Sequence, residues 1–413
     1  MTNKGSYLAS EMIRRDYLII GAGAGGVSVC EGIREHDKKG TIMLVGSETA
    51  LPYQRPQLFP SLLGKSAKGN GCPEKMFVRD AAWFDSNHID LRLDTTLVQL
   101  NLERHLAVLG NGQAIEFRKA CLATGSRARR PPVAGTNLGN IFYLRTLRDV
   151  MALREVAAIE SEIVVIGGGL IAAETSALFA LRPKGRVTLL HRTPHLWGRF
   201  LGPQLGAWLG EMFASRGIKL MLGETLNGFE GRTILKNIQT KSGLRFPAGL
   251  AVVALGAEPN LALVANTPLS YPNGTPVNEY LESDEKGFFA VGDIALFPDK
   301  VFGGVRRIEH WDCAVAQGRI AGANMTGKKR IKFDGVPRFA SALFDLHFDF
   351  VGDFSKPAAR FEVEGDPAKK KFIIRSYQLS ALMGIALCNQ SAEKVDAAET
   401  QLREWPRGKK PES

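Results

Sequence analysis

Residues 16–33, DYLIIGAGAGGVSVCEGI, recur as residues 162–179, EIVVIGGGLIAAETSALF, which makes Gly21 and Gly167 equivalent positions 146 residues apart. Each copy opens on a short apolar run, 17–20 and 163–166, that reads as a buried parallel strand. A glycine turn then leads into small and apolar residues at helical spacing, and a second apolar run follows at 42–45 and 187–190. Strand, turn, helix and strand, twice over, is a pair of βαβ units.

The first turn carries Gly21-x-Gly23-x-x-Gly26 with Gly25 inside it, and the second carries Gly167-x-Gly169-x-x-Ala172. At this spacing the first glycine permits the tight turn and the second lets backbone approach a pyrophosphate. The third lets the helix pack on the strand, where alanine is tolerated. Phosphate then rests on the free N–H groups and positive end of the helix. The strand before, the helix after and the second strand all recur in both copies, which two turns that bind nothing would not require.

The residue after the second strand selects the ribose. Ser47 and Glu48 follow the first copy, with Glu48 lying 22 residues past Gly26. A carboxylate there accepts the hydroxyls of an unphosphorylated ribose, as in FAD. The second copy offers His191 and Arg192, with Arg199 a few residues on. Arginines there would pair with a 2′-phosphate, so NADPH is expected, with NADH possible, unless both are solvated surface charges.

Composition agrees with this layout. A length of 413 residues suggests two or three domains, and 45% hydrophobic with 23% charged residues excludes a disordered chain. Glycine is enriched, at 44 of 413 residues against an average of ~7%. The net charge of +11 predicts acidic partners: a protein, a nucleotide, nucleic acid or anionic lipid. Five scattered cysteines (Cys30, Cys72, Cys121, Cys313 and Cys388) show no zinc spacing, so no metal site is expected and the compartment reads as reducing. The N-terminal apolar run is too short for a signal-peptide core, and the apolar window 163–181 contains Glu174. A cytoplasmic protein without a membrane span is the expectation.

Further motifs follow in order: Ala123-Thr124-Gly125-Ser126, Ala290-Val291-Gly292-Asp293, LPYQRPQL at 51–58 and RRIEHWDCAVAQGRIAGANMTG at 306–327. With the two nucleotide loops, these resemble the pyridine nucleotide–disulfide oxidoreductase superfamily. Within it the chain looks closest to the ferredoxin and rubredoxin reductases, in a branch similar to apoptosis-inducing factor. The resemblance implies two Rossmann-like α/β domains, for FAD and NAD(P)H, plus a small α+β domain. Expected boundaries are 14–135 with 259–330 for FAD, 136–258 for NAD(P)H and 331–413 for the C-terminal domain.

It also implies roles. Gly21, Gly23, Gly25 and Gly26 would cradle the FAD pyrophosphate, with Ser47 and Glu48 at the ribose. Arg55 matches the arginine of the PYxRP motif, Leu97 would meet the adenine through its backbone, and Arg145 would lie near the cofactor. Asp293 would bond the ribityl chain, and His310 and Trp311 would open a helix aimed at the flavin. For NAD(P)H, Gly167, Gly169, Ala172 and Gly256 would make backbone contacts, and Glu174 matches the acid found beside the nicotinamide. Thr124 and Gly125 read as turn residues.

The chain departs from the family in three places. No CxxxxC or CxxC pair is present, so Cys121 and Cys313 read as small buried hydrophobes and thiol chemistry is disfavoured. Pro60 stands where the family usually has a lysine that pairs with the glutamate equivalent to Glu174, which leaves Glu174 to Lys65 or to no cation. Its carboxyl should then titrate high. Phe339-Ala340-Ser341 stands where a tryptophan is usual, so a wider pocket is expected.

The last ~80 residues read as period-two strands, FDFVGDF, RFEVEGD, KKKFIIRSYQL and ALMGIALC, followed by an amphipathic helix. Basic clusters occur at Arg127/Arg129/Arg130, Arg306/Arg307, 328–332 and 369–371. They are either solvated faces or a steering surface for a small acidic iron–sulfur or rubredoxin-type acceptor. Two other readings stand beside an electron-transfer reductase: a redox-switched protein holding nucleic acid on its basic face, and a small-molecule reductase or oxidase. A homodimer is compatible with each.

Overall fold

The computed structural model describes residues 12–63, 73–183 and 185–405. Lys65, Cys72 and the stretch before Met12 lie outside the described residues. The chain divides into two compact units: one holds the residues up to Gln54, Pro73–Ser126 and Pro259–Gly335, the other starts at Arg55 and adds Arg127–Glu258 and the residues from Val336.

In the first unit, strand Ile13–Ile20 lies between Ile42–Val45 and Ala114–Leu122, parallel to both, and Ile89–Arg92 extends the sheet beyond Ile42–Val45. The far edge of Ala114–Leu122 serves two neighbours. Its first half takes the antiparallel strand Leu106–Leu109, and its last residues take Phe288–Ala290 in parallel. The strand from the late part of the chain thus closes the sheet beside the ATG turn. Helix Ala24–His36 packs against helix Trp311–Met325 through glycines. A Cβ on Gly32 would lie 2.2 Å from the Arg319 carbonyl oxygen, and one on Gly318 would lie 2.5 Å from that of Gly25.

The second unit repeats the plan. Its parallel sheet runs Lys219–Leu222, Arg186–His191, Glu162–Ile166, Leu250–Val253 and Ile141–Phe142. A three-stranded antiparallel sheet, Leu226–Gly231, Leu235–Thr240 and Arg245–Pro247, accompanies it. The strands 17–20, 42–45 and 163–166 are buried on both faces, as near-continuous apolar runs require.

The C-terminal segment forms a five-stranded antiparallel sheet in the order Arg338–Leu343, Leu346–Gly352, Ala381–Cys388, Lys371–Gln378 and Arg360–Asp366, followed by helix Ala392–Glu404. Two details differ from the sequence reading. Arg338–Leu343 is an additional strand, and Arg360–Asp366 is an edge strand without a buried alternate face. It carries Glu362 and Glu364, which pair outward with Arg360 and Arg375. The sheet is joined to the rest of the second unit by aromatics. Trp197 meets Phe348 and Phe350 edge-on at 5.4 and 5.7 Å, and Phe200 meets Phe339 at 6.0 Å.

Candidate dinucleotide sites

The first loop is set by close backbone approach. Gly21 has φ +118°, and a Cβ there would sit 2.1 Å from the Ala123 carbonyl oxygen. A Cβ on Gly26 would sit 1.9 Å from the Gly21 carbonyl oxygen, so only glycine fits either position. Gly25 is tight against Val291, at 3.2 Å, whereas Gly23 faces open space. Gly23 is also the N-cap of helix Ala24–His36, with no side-chain cap and no acidic residue in the first turn. That combination, room at the second glycine and free N–H groups behind it, is what an anionic pyrophosphate needs.

The ribose position lies directly after Ile42–Val45. Ser47 is exposed and Glu48 half-buried, and the buried Tyr53 donates its hydroxyl to Glu48 Oε2 at 2.5 Å. Leu97, which begins strand Leu97–Asn101, is half-buried against the same core. Across the sheet, the Ser126 hydroxyl donates to the buried Asp293 at 2.6 Å. Thr124 and Asn260 exchange side-chain hydrogen bonds at 3.0 and 2.9 Å, and Gly125 takes φ +66°, so both behave as turn residues. Gln317 accepts from the Gly292 N–H at 2.8 Å, while its buried Nε2 has no hydrogen-bond partner among the described residues. A buried donor without a partner costs ~1–3 kcal/mol, so it is a fitting complement to a polar cofactor group. The glycine cradle and this donor together suit FAD. His310 is the N-cap of helix Trp311–Met325, as the sequence suggested, and Asp312 stands in its first turn.

In the second unit, Arg55 Nη1 donates to the Arg145 carbonyl oxygen at 2.9 Å. Arg145 precedes a capping box: Thr146 and Asp149 bond each other's backbone N–H, and Asp149 also takes the Arg145 N–H at 3.0 Å. Residues 143–146 therefore lead into the start of helix Leu147–Ile159, whose capping box holds the Arg145 backbone in place.

The second loop has the same shape with more room. Gly167 has φ +140° and a Cβ there would lie 2.3 Å from the Ala254 carbonyl oxygen, while Gly169 faces open space as the N-cap of helix Leu170–Ala180. Ala172 is fully buried where the first loop needs Gly26. Gly256 takes φ +96° and its carbonyl accepts from the Arg129 N–H at 2.9 Å.

His191 ends strand Arg186–His191 with its ring against Gly168, where a Cβ would come within 1.9 Å of Cε1; its Nε2 is 2.5 Å from the Thr193 hydroxyl. Burial first, then the neighbouring Arg192 charge, holds this imidazole below its ordinary value of 6.5, so it is neutral at pH 7. Arg192 is exposed, and the Arg199 guanidinium lies 4.8 Å from the Phe200 ring centroid. Both are on the same side of the loop in sequence, but Arg199 is already stacked.

Glu174 stands on helix Leu170–Ala180 and is bonded to a residue that sequence reasoning left without a role. The Ser341 hydroxyl donates to Glu174 Oε1 at 2.5 Å. Burial pushes this carboxyl up to about 7, against the opposing hydrogen bonds from Ser341 and the Ala342 backbone. Pro60 is exposed on helix Leu58–Leu63. No basic side chain pairs with Glu174 among the described residues.

The remaining chemistry is quiet. Cys30, Cys121, Cys313 and Cys388 are free and buried, and burial raises every one of these thiols, that of Cys388 to about 12. Several basic clusters are engaged locally. Arg127 and Arg129 pair with Glu258 at 3.3 and 3.6 Å, Arg130 lies over Tyr143, and Arg306 and Arg307 pair with Asp299 and Glu309. No helix among the described residues is long and apolar enough to cross a membrane.

The family model for pyridine nucleotide-disulphide oxidoreductases matches residues 15–318. The rhodocoxin reductase of Rhodococcus erythropolis is 31% identical over 393 residues, covering 94% of this chain and 90% of its own. The putidaredoxin reductase of Pseudomonas putida is 30% identical, with 91% and 89% covered. Among solved structures, the covalent putidaredoxin reductase–putidaredoxin complex matches with a TM-score of 0.86 at 28% identity, covering 94% of this chain and 93% of that one. A monodehydroascorbate reductase of Arabidopsis thaliana is 31% identical over 355 residues, or 82% of this chain and 72% of its own. The two glycine cradles, the motifs between them and these relatives agree: the chain belongs to the pyridine nucleotide-disulphide oxidoreductase family and is an FAD-dependent oxidoreductase of the ferredoxin-reductase type.

Proposed function

We propose that this enzyme takes electrons from NADPH, or from NADH less tightly, and passes them through FAD to a small iron–sulfur or rubredoxin-type protein. The observation that carries the reading is the paired cradle: two loops of one geometry, the first followed by Glu48 and the second by His191 and Arg192. The flavin, when bound, accepts a hydride and releases electrons one at a time. The chain's own residues hold and orient. Gly21, Gly23, Gly25 and Gly26 receive the FAD pyrophosphate, Glu48, braced by Tyr53, receives its ribose, and Leu97 backbone, Asp293 and the His310–Trp311 helix start complete the first unit's part; Arg55 and Arg145, in the second unit, are assigned to FAD by the family resemblance. Gly167, Gly169, Ala172 and Gly256 receive the second dinucleotide, with Arg192 at its 2′-phosphate.

Three domains divided at 135, 258 and 330 are part of this proposal. Anaerobic mixing with NADPH and NADH, followed by addition of a ferredoxin, tests it. Fast bleaching of the flavin and salt-sensitive reduction of the ferredoxin are expected; a colourless protein that takes up no FAD sinks it. The exposed Ala340 in place of a bulky aromatic favours a second reading, a small organic acceptor. Reduction of small quinones without any rate on ferredoxin would select that one.

A further inference from the structure

Among the described residues, the largely buried Glu174 carboxyl accepts from the Ser341 hydroxyl and the Ala342 backbone N–H. Helix Leu170–Ala180 packs on helix Leu58–Leu63 and on strands Glu162–Ile166, Arg186–His191 and Arg338–Leu343. The charged groups on those elements are otherwise engaged: Glu162 with Arg186 at 2.5 Å, and Arg338 with Asp396 and Glu399 at 3.1 and 3.5 Å. His191 titrates below its ordinary value, and helix Leu58–Leu63 and the rest of Leu170–Ala180 contain no ionisable side chain. Among the described residues, the carboxyl therefore answers to Ser341 rather than to an ion pair.

Resting on the function proposed above, we infer that Ser341 is a positioning residue: it aims the Glu174 carboxylate at the nicotinamide end of the second dinucleotide, so that this chain favours the oxidised, cationic ring over the reduced, neutral one through a hydroxyl–carboxyl pair. Three observations point this way. The Ser341 bond is short, at 2.5 Å, and Ser341 is itself buried. Glu174 lies on the first turns of the helix whose N-terminus serves the second loop. The equivalent residue of the first copy, Ser28, is buried and uncharged, so a carboxyl here is not needed to build the fold. A fixed negative charge discriminates a cationic ring from a neutral one of the same shape by charge alone. A carboxyl pushed up to about 7 makes that discrimination depend on pH near neutrality.

The test uses the FAD-loaded protein and calorimetric titration with NADP+ and with the redox-inert tetrahydro analogue of NADPH, between about pH 6 and pH 8. A carboxylate beside a cation shifts its titration by about one unit or more. The preference for NADP+ over the analogue should therefore rise roughly tenfold across this range. Glu174→Gln should flatten the preference, and Ser341→Ala should move its midpoint to higher pH, with Ser341→Thr restoring it. Infrared titration of 13C-glutamate-labelled holoprotein should show the same displaced carboxyl in Ser341→Ala without any dinucleotide. A pH-independent preference in the parent chain, or an unmoved midpoint in Ser341→Ala, overturns this inference alone. Failure of both probes to bind overturns the dinucleotide reading and this inference with it.

Discussion

The two phosphate loops have the same backbone turn and differ in how closely helix meets strand. In the first, the space for a Cβ at Gly26 is taken by the Gly21 carbonyl oxygen, 1.9 Å away. In the second, Ala172 places a Cβ at the equivalent position and is fully buried. The helices differ too: the first has the buried Ser28 where the second has Glu174. The first turn is thus closed to any side chain at its third position, while the second accepts a methyl group.

Substitution at the third position should break this comparison most visibly. Gly26→Ala should cost about 3 kcal/mol or more, because the clash is with backbone that cannot rotate away. The purified variant should lose its flavin absorbance. Ala172→Gly should keep both dinucleotides and cost only about 1 kcal/mol of helix stability in a thermal melt.

Glu174 gives the next largest effect, and its sign is the reverse. Its folded value of about 7 lies above the reference 4.5, so the folded chain binds the extra proton. Stability is therefore fully present below pH 4.5 and is lost as pH rises through about 7. Glu174→Gln should raise the melting temperature at about pH 8, by up to ~3 kcal/mol of stability, and leave it unchanged in acid. Ser28 has no charge to lose, so Ser28→Ala should show no such pH dependence.

Ribose selection separates the loops further. Arg192→Ala should weaken NADPH binding about tenfold to a hundredfold and leave NADH unchanged, as expected for loss of a charge-assisted bond worth ~1.5–3 kcal/mol. Equal losses for both dinucleotides would remove the 2′-phosphate role. Because Arg199 already lies over Phe200, Arg199→Ala should have the smaller effect of the two. The mildest change is Tyr53→Phe, which removes one hydrogen bond to Glu48 and should loosen FAD about fivefold, or ~1 kcal/mol, in a flavin-release titration.

Much of this was legible in the residue order. The repeat placed four strands and two helices, and the helix start at His310–Trp311 and the turn at Thr124–Gly125 fell where the motifs indicated. What was not legible depends on contacts between distant segments. The C-terminal sheet groups with the second loop's unit through Phe348, Phe350 and Trp197, three aromatics with no signature that names their partners. Arg127 and Arg129 look like a free basic cluster in sequence, and folding brings Glu258 to them from a distant segment.

Sequence alone determined that two dinucleotide loops exist, because turn conformation and helix start are local properties of glycine spacing. Tertiary structure alone decided what surrounds Glu174. Pro60 was visible in the residue order, but the hydroxyl that bonds Glu174, 167 residues away in sequence, was not. Hydrogen-bond partners of a buried carboxyl are chosen by which strands the fold stacks beside it, and no local pattern encodes that choice.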